Sequence, residues 1–369
     1  MTTLAQSSAV PEPRAGDLDP TSIRRQVNGV LADFLHRKEQ EADRQGLPGQ
    51  APHVLGEFLL AGGKRIRPRL CLLGWQTAGG NARAPEPVVR VAAALELFHA
   101  FCLIHDDVID HSDTRRGQPT VHRTLAAHHD TGRTPAATQQ VGEAGAILVG
   151  DLALVWAEEL WHTADLDSAQ LTGVRPLISA MRSEVIYGQY LDVTATGTGA
   201  ADLDQALRII RYKTAKYTVE RPLQVGAALA GADDQLLEAL TAFALPLGEA
   251  FQLRDDLLGA FGNEAETGKP ALDDLREGKP TALYAYALMR ADASQQRLLR
   301  AFYGNPRLDT DTAVTVRNLI EATGAAQVVE DMIHERHRHA LSALHALDIP
   351  TQVRDQLRDL ADQAAWRSA

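Results

Sequence analysis

The stretch PEPVVRVAAALELFHAFCLIHDD, residues 85–107, decides the fold class. Apolar residues recur along it at three- and four-residue spacing, which is typical of a helix with a buried face. Alternating polar and apolar runs are nearly absent, and aromatic residues make up only 5% of the chain. We therefore predict an all-α protein, a single-domain helical bundle. The same helical pattern recurs over residues 22–38, 142–162, 177–193, 205–231, 235–261, 280–290 and 311–367, with surface loops predicted at 127–140 and 194–202.

The composition limits the classes of partner. With 369 residues, 45% of them hydrophobic, the chain is long enough for a large core. Its formal net charge of −11 argues against a nucleic-acid partner, which would require a basic surface. The two cysteines, Cys71 and Cys102, lie in apolar runs, which indicates buried free thiols and a cytoplasmic location.

The N-terminal residues differ from the rest of the chain. Residues 1–20 are rich in Ala, Pro, Ser and Asp and contain no apolar signal-peptide core. We predict a disordered tail there, followed by one domain over residues 21–369. The longest apolar stretches, VAAALELF (91–98) and AILVGDLALVWA (146–157), are short and contain acidic residues, so we predict no membrane span.

Two acidic motifs carry the chemical signal. HDDVID (105–110) and RDDLLG (254–259) each place an Asp–Asp pair near the end of a long apolar helix. Asp106 and Asp110 share a helix face, where their like charges repel unless a cation offsets them. Carboxylate oxygens with room for water suit Mg²⁺. If the two helix ends face each other, Asp106, Asp107 and Asp110 would form one wall of a metal cage, and Asp255 and Asp256 the other.

Cationic residues cluster in loops rich in Gly, Pro and Asp. Arginine binds phosphate oxygens in a bidentate manner, lysine binds them as a point charge, and such loops bring backbone donors close to a ligand. Two cationic groups beside a metal cage predict two anionic substrates, one bound to the metal and one not. The candidate residues are Lys64, Arg67, Arg115, Arg116, Lys213 with Thr214, Lys269 and Lys279.

In combination these motifs resemble the trans-type polyprenyl synthetases, or isoprenyl diphosphate synthases. The resemblance extends from about residue 25 over nearly the whole chain. It implies an isoprenoid-synthase-type bundle with a deep central cavity, and a homodimer. It also implies a prenyltransferase that condenses isopentenyl diphosphate with an allylic diphosphate and uses Mg²⁺, three ions when the diphosphate is bound, with Mn²⁺ able to substitute. The motifs, in the family's order, are GGKRIRP (62–68), LIHDDVIDHSDTRRGQPTVH (103–122), GDLAL (150–154), GQYLD (188–192), YKTAKYT (212–218), FQLRDDLLGAFG (251–262) and TGKP with DDLREGKPT (267–281).

The resemblance also implies a role for each matching residue. Isopentenyl diphosphate would be held by Lys64, Arg67, His99 and Arg116. Mg²⁺ would be held by Asp106, Asp107, Asp110, Asp255 and Asp256. The allylic diphosphate would contact Arg115, Lys213, Thr214, Gln252, Lys269 and Lys279. Because the departing diphosphate takes the last proton in this family, we predict no protein general base.

The residues before the first acidic motif predict the product length. Phe101 lies five residues before Asp106, roughly 7 Å along a helix axis, so its ring would form the floor of a cavity for the growing chain. The small Cys102 leaves some room beside Phe101, and Phe98 lies about one turn further. A Phe followed by a small residue resembles geranylgeranyl-type members. We predict a twenty-carbon main product, with fifteen carbons as the alternative.

Three other functions are compatible with parts of the pattern. Gly259 replaces the last acid of the second motif, so a class I terpene cyclase on the same fold is one alternative. However, such an enzyme does not need the GGKRIRP cations. The pair His105–Asp106 is found in all-α phosphohydrolases, but that function leaves the second acidic motif unexplained. A non-catalytic partner subunit of a prenyl synthase would have lost acidic residues that this chain retains.

Overall fold

Helices account for nearly all of the described structure. A computed structural model describes residues 19–81, 83–197, 202–262 and 273–367. Of the predicted tail, residues 1–20, residues 1–18 lie outside the described ranges. The helices of the first half are α1 (Pro20–Gln45), α2 (Gln50–Leu60), α3 (Ile66–Thr77), α4 (Glu86–Ile109), α5 (Val121–His128), α6 (Pro135–His162) and α7 (Ser168–Ala195). The all-α prediction is confirmed.

The second half is also helical. It contains α8 (Leu203–Ile209), a π-helical segment (Ile210–Glu220), α9 (Arg221–Leu229), α10 (Asp234–Phe261), α11 (Asp273–Glu277), α12 (Ala282–Arg290), α13 (Ala293–Phe302), α14 (Thr310–Ala322), α15 (Ala325–Ala346) and α16 (Thr351–Trp366). Local sequence sets several helix ends: Asp19 accepts hydrogen bonds from the amides of Thr21 and Ser22, and Gly46 closes α1 in the left-handed conformation.

The π-helical segment lies between two glycine contacts. A Cβ on Gly188 of α7 would lie 2.3 Å from the Lys213 nitrogen, and one on Gly248 of α10 would lie 2.6 Å from the Cα of Ala215. The backbones of α7 and α10 therefore approach the segment more closely than any side chain would allow. Because π-helical turns occur frequently at functional sites, this segment is a candidate location for functional residues.

Three clusters of buried apolar side chains form the core. One cluster contains residues from every helix from α1 through α7, and its central residues lie on α4 and α6. Another joins α10, α12, α14 and α15, and the third joins α3, α9, α10, α15 and α16. Since α10 belongs to both of the latter clusters, it fixes the second acidic motif relative to the C-terminal helices.

Two predictions about local structure need correction. The predicted loop at 127–140 is shorter, because Thr134 caps α6 through the amide of Ala137 and Pro135 begins the helix. The loop after α4 contains an antiparallel pair of two-residue strands, β1 (Thr114–Arg115) and β2 (Gln118–Pro119), which the sequence analysis did not predict. Of the second predicted loop, residues 198–201 lie outside the described ranges.

The short apolar stretches used to predict that no segment spans a membrane lie within longer helices, α4 and α6. By length and composition, α4, α6 and α10 are each long and apolar enough to cross a membrane. The buried share of their most apolar 18-residue windows is 67%, 33% and 44%, respectively. In the bundle, their apolar side chains contribute to the clusters described above. The length of these helices therefore does not exclude a membrane span. In this structure the three helices contribute to the core.

Candidate active site

Two aspartates at the end of α4 are each paired with a lysine. The Nζ of Lys213 lies 3.2 Å from Oδ1 of Asp106, and Gln189 donates a hydrogen bond of 2.8 Å to the same oxygen. Four residues further, Oδ2 of Asp110 lies 3.3 Å from the Nζ of Lys279. The first acidic motif and two of the predicted diphosphate-binding lysines thus lie in one site, although about 100 residues or more separate them along the chain.

The two carboxylates respond differently to this environment. Burial opposes ionisation of Asp106, but the charges of Lys213, Lys279 and Arg115 outweigh it and lower the pKa of Asp106 to about 2. For Asp110, burial together with the neighbouring charge of Asp106 raises the pKa, despite the charge of Lys279. The site therefore contains one strongly ionised carboxylate beside a carboxylate that is costly to ionise, and an additional cation would stabilise both.

Lys213 is held by more than one acid. It donates a hydrogen bond of 2.5 Å to Oδ2 of Asp192, a buried residue on α7, in addition to its contact with Asp106. Burial alone would lower the pKa of Lys213, but the charges of Asp106 and Asp192 raise it above its ordinary value. The lysine is thus a fixed positive charge, held where α4, α7 and the π-helical segment meet.

Asp107 and Arg115 form a separate pair. Asp107 is 1% exposed, and its two oxygens accept hydrogen bonds of 2.6–2.9 Å from Nε and Nη2 of Arg115. The geometry is bidentate, which fixes the orientation of the guanidinium group. Direct coordination of a metal by Asp107 stays a prediction, and it would require Arg115 to move. In the described conformation, Asp107 positions Arg115.

The second acidic motif connects to the first through the π-helical segment. Thr214 donates a hydrogen bond of 2.7 Å to Oε1 of Gln252, whose Nε2 donates one of 2.9 Å to Asp256. Since Thr214 follows Lys213 directly, this chain of contacts leads from Asp256 to the lysine that pairs with Asp106. A chain of hydrogen bonds and one backbone step therefore connects the two acidic motifs, and their joint use as one metal site stays a prediction.

Asp255 makes a different contact. Its Oδ1 lies 2.5 Å from Nη2 of Arg367, just after the end of α16. The guanidinium group of Arg367 also lies over the ring of Phe251, 3.9 Å from its centroid. The C-terminal end of the described chain thus reaches the second acidic motif. Lys269, the remaining predicted diphosphate ligand, lies outside the described residues.

A cationic group lies at the start of α3. Arg67 donates a hydrogen bond of 2.7 Å to Oγ1 of Thr218 and lies over the ring of Tyr217, 4.3 Å from its centroid. The hydroxyl of Tyr217 is 3.2 Å from Nδ1 of His99. Lys64 lines a cavity of about 750 Å³, whose wall also includes Thr218. Burial, followed by the charges of Arg67 and Arg116, lowers the pKa of His99 well below its usual value, so its imidazole is neutral at neutral pH.

The backbone before α3 is shaped for close contacts. Gly62 and Gly63 have φ values of 130° and 123°, which disfavour any residue other than glycine. A Cβ on Gly63 would lie 3.1 Å from Nη1 of Arg65 and 3.1 Å from Nη1 of Arg116. Arg116 donates a hydrogen bond of 3.1 Å to the carbonyl of Gly62. Arg65, which the sequence analysis did not select, is buried and pairs with Glu96 at 2.8 Å. Arg65 thus holds the loop, and a ligand-binding role of Lys64 and Arg67 stays a prediction.

The apolar side of α4 carries the predicted floor residues. Phe98 is 2% exposed, and its ring centroid lies 5.5 Å from that of Phe101. On the other side of Phe101, the ring of His105 lies 4.7 Å away in an edge-on contact. Burial raises the pKa of the Cys102 thiol to about 12, so the thiol stays protonated. Phe98, Phe101 and Cys102 form an apolar layer next to the first acidic motif, and His105 lies between this layer and the motif.

The donor chemistry of the site suits a hard divalent cation. Asp106 and Asp110 offer carboxylate oxygens that already lie opposite ammonium groups, and Asp255 and Asp256 offer further oxygens. Within the described ranges, no three His, Cys, Asp or Glu side chains are close enough together to enclose a metal. If these carboxylates hold Mg²⁺, phosphate and water oxygens would have to complete its coordination shell, as is usual for this ion.

Comparison with known proteins decides the family. Residues 52–322 match the family described as Polyprenyl synthetase. The chain belongs to this family. It is 31% identical over 310 residues to the (2E,6E)-farnesyl diphosphate synthase of Mycobacterium tuberculosis, with 83% of this chain and 80% of that protein covered. It is 32% identical over 310 residues to the geranylfarnesyl diphosphate synthase of Aeropyrum pernix, with 82% and 89% covered.

A solved structure resembles the whole fold of this polyprenyl synthetase. The geranylgeranyl pyrophosphate synthase of Corynebacterium glutamicum, complexed with isoprenyl diphosphate and magnesium, is 41% identical with a TM-score of 0.91. The match covers 95% of this chain and 100% of that one. The isoprenoid-synthase fold and the prenyltransferase class are thus confirmed. The relatives make products of different length, so the comparisons leave the chain length open.

Sequence reasoning missed two residues that hold the lysine and the first acid. Gln189 and Asp192 contact Asp106 and Lys213, respectively. Both belong to the GQYLD motif, which the sequence analysis quoted without assigning roles to its members. An available signal was that the two lie three positions apart, so they share a face of α7. A buried acid paired with a polar amide on one helix face indicates a positioning role.

Proposed function

We propose that this trans-prenyltransferase condenses isopentenyl diphosphate with an allylic diphosphate and releases a twenty-carbon geranylgeranyl diphosphate as its main product. The observation that carries the proposal is the ion-pair network of the first acidic motif, in which Lys213 and Lys279 lie against Asp106 and Asp110. It brings anion-binding and cation-binding groups together in one buried site, as ionisation of a diphosphate ester requires.

The proposal assigns the allylic diphosphate to this network. Its oxygens would contact the fixed cations and the hydrogen-bonding pair of the second motif: Arg115, Lys213, Thr214, Gln252, Lys279 and, beyond the described residues, Lys269. Magnesium would be held by Asp106, Asp110, Asp255 and Asp256, as three ions once diphosphate is bound, and Mn²⁺ would substitute. The bound metal supplies Lewis-acid neutralisation of the departing diphosphate.

The protein's own residues do the remaining work. As the allylic C–O bond breaks, its electron pair leaves with the diphosphate, and Lys213 and Arg115 stabilise the charge that develops. The isopentenyl double bond then forms a carbon–carbon bond to the allylic cation, and the resulting tertiary cation loses a proton to the departed diphosphate. The carboxylates in contact with lysine are already engaged, which agrees with the absence of a dedicated protein base from this scheme.

The second substrate would bind at the start of α3. The diphosphate of isopentenyl diphosphate would be held by Lys64, Arg67 and Arg116, and the neutral His99 would donate or accept a hydrogen bond there. Since Tyr217 and Thr218 hold this group next to the π-helical segment that carries Lys213, both diphosphate sites are built on the same element. That arrangement would hold the two reacting carbons in a fixed orientation.

We assign the product length to the Phe101 floor. The test is to incubate the purified chain with Mg²⁺, isopentenyl diphosphate and allylic starters of five, ten and fifteen carbons, and to separate the products by chromatography. A twenty-carbon main product is expected, and the variant Phe101→Ala should make longer chains. A fifteen-carbon main product would support the farnesyl alternative, and unchanged products from Phe101→Ala would contradict the floor assignment.

We further propose that the protein is a cytoplasmic homodimer. Large apolar side chains are exposed along α6 and α7, among them Leu148 at 64%, Tyr187 at 70% and Tyr190 at 65%. A second copy that covers these side chains would remove them from water, which favours association. The free thiols of Cys71 and Cys102 agree with a reducing compartment.

A further inference from the structure

One histidine links the predicted cavity floor to the neighbouring helix. The ring of His105 on α4 packs edge-on against Phe101, with the two centroids 4.7 Å apart. Its Nδ1 lies 3.1 Å from the carbonyl oxygen of Phe101, one turn back along the same helix. Its Nε2 lies 3.3 Å from Oδ1 of Asp151 on α6. The ring thus contacts both the side chain and the backbone of Phe101, while a carboxylate holds its far edge.

Gly150 makes room for the His105 ring. A Cβ on Gly150 would lie 2.4 Å from Cε1 and 2.5 Å from Nδ1 of the ring, which is closer than such atoms approach in real structures. Any other residue at position 150 would therefore displace the imidazole from α6. Together with Asp151, this glycine confines the ring between the two helices. This contact gives a physical reason for the glycine at the start of the GDLAL motif.

The two ring neighbours of Phe101 differ in their freedom. Phe98, whose ring centroid is 5.5 Å away, is 2% exposed and surrounded by the core. The side chain of His105 is 24% exposed, so it is fixed less by burial than by its contacts with Gly150 and Asp151. An aromatic side chain keeps a single rotamer only while its neighbours exclude the others. The rotamer of Phe101 therefore depends on whether His105 is held.

We propose that His105, confined by Gly150 and Asp151, is a positioning residue that fixes the Phe101 ring and thereby limits the product length. The inference rests on the proposed function, because it assigns Phe101 to the floor of the prenyl cavity. The ring nitrogens of His105 contact Asp151 and a backbone carbonyl, so His105 serves here to position Phe101 and does not act as a metal ligand beside Asp106. The specificity of the site then depends on α6 as well as on α4.

A double-variant cycle with product analysis tests the inference. His105→Ala removes the ring that confines Phe101, and the share of products longer than the wild-type main product should rise at least threefold. Gly150→Ala keeps the ring but displaces it towards Phe101, and shorter products should increase. In the double variant the added methyl has no ring to displace. The products of the double variant should therefore match those of His105→Ala. Products are separated at low conversion, with fixed substrate concentrations.

A matched glycine and a stability measurement serve as controls. Gly29→Ala places a methyl on α1 with nothing within 4 Å, so it should leave the product ratio unchanged. If His105→Ala lowers the melting temperature and the rate but leaves the product ratio at the wild-type value, the residue is merely structural and the inference is wrong. The inference is also wrong if Gly150→Ala shifts the product ratio by the same amount with the His105 ring present and with it removed. A wild-type protein that forms no prenyl product overturns both the inference and the proposed function.

Discussion

At the scale of single residues, Lys213 is the centre of the site. It carries a fixed positive charge between Asp106 and Asp192, where the departing diphosphate would need one. We expect Lys213→Ala to lower kcat by about 10²–10³-fold, the cost of removing one preorganised donor to developing negative charge. Steady-state assays with labelled isopentenyl diphosphate measure the loss.

A lysine on the same segment provides the control for Lys213. Lys216 pairs with Glu184 at 2.8 Å and with Glu220 at 3.4 Å, away from the acidic motifs. Lys216→Ala should reduce stability but keep kcat within a few-fold of wild type. Equal losses of activity in both variants would mean that Lys213 acts only through the structure of the segment.

His99 predicts a pH dependence of stability. Its pKa in the folded protein is well below 6.5 because it is buried and lies near Arg67 and Arg116, so the unfolded chain binds a proton that the native protein does not. Stability should therefore fall as the pH decreases below about 6.5. His99→Gln removes this contribution, so its free energy of unfolding should fall less steeply between pH 6.5 and 5, by up to about 1.4 kcal/mol per pH unit.

Urea unfolding at several pH values measures the two slopes. His339→Gln, at an exposed position on α15, is the control and should keep the wild-type slope. If His99→Gln has the wild-type slope as well, the imidazole is protonated in the native protein and the account of its neutral state is incorrect.

Residue types were easier to predict than residue partners. The resemblance to the polyprenyl synthetases implied that Asp106, Lys213 and Lys279 serve one diphosphate, and the structure brings these side chains close to the first acidic motif. The motifs did not reveal that Arg115 holds Asp107, or that Asp192 holds Lys213. Such contacts depend on how α4, α7 and the π-helical segment pack together, and local sequence contains no measure of that packing.

At the scale of elements, the contact between α7 and the π-helical segment deserves a direct test. A Cβ on Gly188 would lie 2.3 Å from the backbone nitrogen of Lys213, so Gly188→Ala must push the two elements apart. We expect a loss of about 1–3 kcal/mol in the free energy of unfolding. Activity should fall as well, because the displaced segment carries both Lys213 and Thr214.

Another glycine of α7 gives a matched comparison. A Cβ on Gly173 would meet Ala228 at 3.6 Å, an ordinary contact distance. Gly173→Ala should be neutral or slightly stabilising, because alanine favours the helix by about 1 kcal/mol over glycine. Thermal unfolding and kcat, measured for both variants, decide the question. If Gly188→Ala behaves like Gly173→Ala, the close approach is not needed.

The helices themselves followed from the sequence, but their irregularities did not. The three- and four-residue apolar spacing predicted helix over residues 205–231, and the chain is helical as far as Leu229. The π-helical turns within that range, Ile210–Glu220, escaped detection because their register is set by the glycine contacts with α7 and α10. The strands around Arg115 escaped because each is only two residues long.

At the scale of the whole molecule, the exposed apolar side chains of α6 and α7 predict association. Sedimentation velocity should give twice the 40.0 kDa of one chain. Leu148→Glu together with Tyr187→Glu should shift the protein towards the monomer, because charges would be buried in the interface. The matched change Met289→Glu, at an exposed apolar residue of α12, should not. A wild-type protein of 40.0 kDa would contradict the proposed dimer.

The central claim concerns coupling: the same site that releases the diphosphate must join the two prenyl units. The most direct measurement is the number of pyrophosphate molecules released per isopentenyl unit incorporated, with purified protein, Mg²⁺, labelled isopentenyl diphosphate and an allylic starter. The account predicts one for one, with both signals lost together in Asp106→Ala. Release of phosphate or pyrophosphate without incorporation, or no reaction with any starter, would contradict it.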